Sequence, residues 1–198
     1  NTGTETLSFV NINFEHLSGS IIDFDFIKCN VVGNDGYAHN VTVKDCTFTG
    51  NSSCNVVGMR YRQCYNMSVI NCTATDVHSL MWTTGGENIT VDGVTVEGNE
   101  GGLSTSTTKN IVVKNSTINV DSEYGYGIRI NSSDDNTDLS LQVKDCKITA
   151  DAPILLRQAK NKNYSIDLQG TNELTTSKEY HIIATASEYK SGTELVPP

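Results

Sequence analysis

Apolar and polar positions alternate along this chain in short runs that keep returning. The stretch Asn88-Ile-Thr-Val-Asp-Gly-Val-Thr-Val sets Ile89 and Val91 on one face and, past Asp92-Gly93, Val94 and Val96 on another. The same pattern starts at Asn40, Asn66, Asn110 and Ser140, and in weaker copies at Thr6, Asp23 and Asn163. A repeat at this period signals an array of stacked units and takes precedence over any local assignment. A third apolar run follows most copies: Ile21–Asp25, Val56–Tyr61, Leu80–Thr83, Leu103–Ser106, Gly127–Ile130 and Ile154–Arg157. Three short strands per repeat, with no helical period, predict a solenoid. Each strand would pair with its equivalents in the turns above and below, making parallel sheets at a spacing of about 4.8 Å. The expected fold is therefore an all-β parallel β-helix over residues 1–170, with 171–198 as a C-terminal capping segment of the same domain. About eight turns at that spacing make a rod roughly 40 Å long.

The position between the two strands of each copy reads Asn11, Lys28, Asp45, Asn71, Gly93, Asn115 and Asp145. Except for Lys28, these residue types tolerate the left-handed backbone that a sharp bend requires. Lys28 marks the opening copies as irregular. Cys29, Cys46, Cys72 and Cys146 share one template position, which Ile12, Val94 and Ser116 fill in other copies. A position accepting Ile, Val, Ser or Cys is a small buried slot, where a thiol acts as a small hydrophobe. Cys54 and Cys64 bracket an expected strand and lie too far apart to bridge. Buried free thiols are expected, a lateral disulfide between neighbouring copies being the less favoured alternative. No zinc spacing occurs.

A net charge of −9 argues against nucleic-acid and anionic-membrane partners. No run approaches the roughly 18 apolar residues of a membrane span, so membrane insertion is not expected. The chain opens at Asn1 within strand-like sequence and without a basic-apolar leader, which reads as a piece of something longer with further sequence upstream.

The motif Asn-x-x-Val-x-(Asn/Asp/Gly)-x-Thr, followed by Gly-(Ile/Leu)-x-x, resembles the repeat of right-handed parallel β-helices of the pectate-lyase-like superfamily. The resemblance implies a right-handed coil, with the kink as the short turn between second and third sheets. It makes Asn40, Asn66, Asn88 and Asn110 the starts of second-sheet strands. The third runs become the first sheet, where such proteins place a polysaccharide cleft, and the protein is expected to be secreted or on the cell surface. The polygalacturonase-like set of Asn-Thr-Asp, Asp-Asp, Gly-His-Gly and Arg-Ile-Lys is not reproduced. Only Gly127-Ile-Arg129-Ile-Asn131 echoes its last member. No complete catalytic motif is present, so the resemblance specifies a scaffold and no reaction.

Alternation along the third runs points Arg60 and Arg62, Trp82, Ser104 and Arg129 outward, with Arg157 continuing the row. An exposed indole offers a flat face to a sugar ring, and a guanidinium fork pairs with carboxylate or sulfate. These six residues are the expected ligand-binding set. The bland alternative is ordinary surface, with Arg stacked over Trp and no ligand. Asp23 and Asp25 stand i, i+2 on one run; solvated decoration outweighs a glycosidase pair there. Asp134, Asp135 and Asp138 have the chemistry for Ca²⁺, but a polar loop without metal is the better reading, and no cofactor is expected. His39 and His78 read as surface histidines at turns. Eight Asn-x-Ser/Thr sequons arise largely from the repeat itself. Three functions follow: a glycan-binding module of a polysaccharide-processing protein, a polysaccharide lyase or glycoside hydrolase, or the structural stalk of an adhesin or phage fibre.

Overall fold

The computed structural model describes residues 7–10, 13–14, 23–24, 27–28, 37–50, 57–61, 63–131, 138–158 and 163–193. Three parallel sheets wrap one core. The leading sheet stacks Leu7–Val10, Tyr37–Lys44, Gln63–Ile70, Gly86–Asp92, Thr108–Lys114, Leu139–Lys144 and Tyr164–Gln169. The trailing sheet stacks Asn13–Phe14, Thr47–Thr49, Thr73–Val77, Thr95–Gly98, Thr117–Val120, Lys147–Thr149 and Glu173–Thr175. The platform sheet stacks Val57–Tyr61, Ser79–Thr83, Gly101–Ser106, Tyr126–Asn131, Ala152–Arg157 and Ile182–Thr185. The predicted parallel β-helix is thus the observed fold.

Among the described residues seven strands, not eight, line the leading sheet. The copy at Asp23 leaves the stack: Asp23–Phe24 pairs antiparallel with Ile27–Lys28, while Leu7 pairs directly with Val41. Six steps of about 4.8 Å then give a stack about 30 Å deep, shorter than the repeat count implied. The segment from 171 onward adds a strand to the trailing and platform sheets through pairings such as Ile148 with Leu174 and Leu155 with Ile183. The solenoid therefore runs past residue 170.

Inward residues stack as ladders. Val69, Val91, Val113 and Val143 form one in the leading sheet, and Ala74, Val96, Ile118 and Ile148 another in the trailing sheet. All eight are fully buried. The cysteine slot is equally plain: Cys46, Cys72 and Cys146 are buried thiols outside any disulfide, as expected, and Cys64 with them. Cys72, Ser116 and Cys146 each turn the side chain back onto the carbonyl two residues earlier, at 3.4, 2.7 and 3.3 Å. That shared contact explains why one slot takes either thiol or hydroxyl. Burial pushes the Cys64 thiol up to about 12 and that of Cys72 up to about 11. Cys29 and Cys54 lie outside the described residues.

The kink residues Asp45, Asn71, Gly93, Asn115 and Asp145 all have φ between 51° and 67°. The leading asparagines share this conformation, at 54° for Asn40 and Asn66, 60° for Asn88 and 53° for Asn110. They therefore bend their strands from within and do not begin them. Asn66, Asn88 and Asn110 each donate Nδ2 to the Oδ1 of the asparagine one turn back, at 3.0 Å, with Asn40 as the first acceptor.

Candidate functional site

The platform sheet brings the expected residues into one column. Arg60 pairs with Trp82, Trp82 with Ser104 and Ser104 with Arg129. Leu155, not Arg157, stands next to Arg129; Arg157 occupies the neighbouring column opposite Asn131. Arg62 and the side chain of Arg60 lie outside the described residues, as do Asp25, Asp134, Asp135 and the side chains of Asp23 and His39. Asp138 is described and accepts a bond from Asn163 Nδ2 at 2.9 Å.

Arg129 is the hub of the column. Its Nε and Nη2 donate to Ser104 Oγ at 3.1 and 2.9 Å. Its guanidinium carbon sits 4.2 Å from the centroid of Tyr126 and 5.4 Å from that of Trp82. Cation–π contacts this desolvated contribute about 0.5–2 kcal/mol each. Burial draws the guanidinium below its usual range, and nearby Arg157 adds to this; Tyr126, Glu100 and Glu188 oppose it. Ser104 is only 2% exposed beneath Arg129, whose guanidinium it holds, which corrects its expected outward exposure.

His78 corrects the surface-histidine expectation. It is 6% exposed, stacks on Trp82 with ring centroids 6.1 Å apart, and places Nδ1 3.0 Å from Glu100 Oε2. That hydrogen bond holds the Glu100 carboxyl below its usual range, with Arg129 contributing further.

Strict alternation from Arg129 turns Gly127 outward and Tyr126 inward, and the structure reverses this. A Cβ on Gly127 would meet Ile148 Cγ2 and the Pro153 carbonyl, so that backbone presses against the trailing sheet. Tyr126 then emerges on the outer face, where it packs with Ala152, Leu155 and Ile183 in a second apolar cluster against Tyr189. The segment after Thr185 thus lies back across the platform. Leu168 and Ile182, in the last turn, stay 45% and 37% exposed. Arg157 forms an ion pair with Glu188 of this returning segment. Between sheet and tail lies a cavity of about 130 Å³, lined by Glu100, Tyr126, Arg129, Arg157, Glu188 and Tyr189 among others.

Roomier grooves of about 320 and 460 Å³ run along the corner between trailing and platform sheets, past Asp76, Glu97, Asp121 and Asp151. Neither is lined by an aromatic ring or a guanidinium, both of which the platform patch presents.

Three parallel sheets coiled around one core, with a polar and aromatic patch on one of them, define a parallel β-helix protein. Residues 8–179 match the family described as the right-handed β-helix region, and the chain belongs to that family. The resemblance to the pectate-lyase-like superfamily agrees with this and singles out no member. Neither curated proteins nor solved structures gave a match.

Proposed function

We propose that this chain is a glycan-binding protein of the secreted or cell-surface world, part of a larger polysaccharide-processing protein. In this reading it takes its ligand on the outer face of the platform sheet. One observation carries the proposal: Trp82 and Arg129 meet half-exposed on a rigid sheet, with Tyr126 buried beneath Arg129 as its support and Glu100 and Arg157 beside them. Rings supply stacking faces at low entropic cost, and charged forks select and orient hydroxyl and carboxylate groups. Stacked strands hold the patch in place, so little ordering is needed when a ligand arrives.

Trp82 is the only tryptophan, so its fluorescence reports on this face alone. Titration with acidic polysaccharides is expected to give a saturable shift that neutral polysaccharides do not. Trp82→Phe keeps the ring and most of the affinity, whereas Trp82→Ala weakens binding by roughly tenfold, about 1.4 kcal/mol, measured by calorimetry. A flat response to every glycan, with Trp82→Ala binding like the parent, would sink the reading and leave the structural stalk.

A further inference from the structure

The cavity beneath the tail has unmet donors on its inside and a carboxylate at its threshold. Tyr126 is 2% exposed, yet its O–H has no acceptor. Ser104 Oγ accepts twice from Arg129, so it has only its own proton to offer the phenol oxygen, and the phenol O–H finds no acceptor there. Arg157 Nε is likewise buried without an acceptor. Buried donors left unmet are costly, and both residues line the same small space. Glu188 meets the need only from outside. It engages Arg157 Nη2 through one oxygen, and its side chain stays 65% exposed.

Volume and charge narrow what completes the site. The cavity, about 130 Å³, has room for a few waters or one small group such as a carboxylate. Glu100 and Glu188 already balance Arg129 and Arg157. A second anion entering beside Glu188 would leave a desolvated charge unpaired, which is strongly unfavourable. An exposed, singly bonded ion pair on a returning tail is weak and easily released.

We infer that Glu188 is an internal carboxylate at the threshold of a carboxylate-binding pocket, and that a ligand carboxylate binds by exchanging with it. The incoming group would accept from Arg157 Nε and Nη2 side-on and from the Tyr126 hydroxyl, while Glu188 swings to solvent. No covalent bond is made or broken in the exchange; the Arg157–Glu188 hydrogen bond is replaced by bonds to the ligand. The inference rests on the platform reading for the source of the carboxylate, an acidic sugar.

The test uses glucuronate, acetate and uncharged glucose as probes, with the Arg Nε–Hε resonances followed by NMR. Glu188→Gln is expected to tighten glucuronate and acetate by roughly two- to fivefold, the worth of an exposed ion pair, and to leave glucose unchanged. The Arg157 Nε–Hε signal should move on binding, and Arg157→Gln in the Glu188→Gln background should cancel the gain. Unchanged or weaker carboxylate binding by Glu188→Gln would overturn the inference. So would an equal gain for glucose, or no binding by either protein. Exchange at Arg157 without any Trp82 response to polymers counts against the platform and not the pocket. A Trp82 response with no Glu188→Gln effect counts the other way.

Discussion

Asn88 shows how much one residue carries. Its left-handed φ of 60° bends the leading strand, and its amide both donates to Asn66 and accepts from Asn110 at 3.0 Å. Few residue types other than Gly and Asn occupy this conformation without strain. Asn88→Ala is expected to lose about 1–2 kcal/mol from backbone strain alone, plus the ladder bonds. Asn88→Gly should lose less, because only the ladder goes. Urea unfolding of the two variants checks the order, and equal losses would show that φ is not the controlling term. The kink asparagines were readable because a bend between two strands demands this conformation. The ladder asparagines were not, since nothing in a single copy shows that its amide has a partner one turn away.

The platform strand Tyr126–Asn131 decides the site, and it does so by breaking its own period. Gly127 lets the backbone approach Ile148 and Pro153, so Tyr126 turns outward beneath Arg129. Gly127→Ala is expected to force the strand off the trailing sheet at a cost of about 1–3 kcal/mol. Calorimetric melting measures that loss, and a loss of glycan affinity with it would tie the Tyr126 face to binding. An Ala variant as stable as the parent would refute the packing argument. Alternation correctly aligned Trp82, Ser104 and Arg129, whose register depends on Met81, Leu103 and Ile128 facing the core. It misplaced Arg157 by one column and missed Tyr126, because a period of two assumes that no glycine intervenes.

Across the whole molecule, buried thiols link stability to alkaline pH. Cys64, Cys72 and Cys146 are all raised, each chiefly by burial. An unfolded thiol ionises near its ordinary 9.0 while the folded one resists. The contribution is therefore complete below about pH 9 and is lost as pH climbs towards 11 and 12. Cys72→Val should stay within about 1.5 kcal/mol of the parent at pH 7, since Val94 fills the same slot one turn on. It should also lose less stability between pH 8 and pH 11, as followed by urea midpoints. A parallel alkaline decline in both proteins would mean that Cys72 plays no part. Depth is also a whole-molecule property: the Asp23 copy looked like a turn, but pairing with itself removed it from the stack.

The amino-acid sequence by itself determined the solenoid, its three sheets, the buried cysteine slot and the column that ends on Arg129. These follow from periodic burial, which every copy restates. Only the tertiary structure decided the fate of the opening copies, the burial of His78 beside Glu100, the emergence of Tyr126 and the return of Glu188 onto Arg157. Each of these depends on one contact between residues distant in the chain, made once, and a contact made once leaves no period to read.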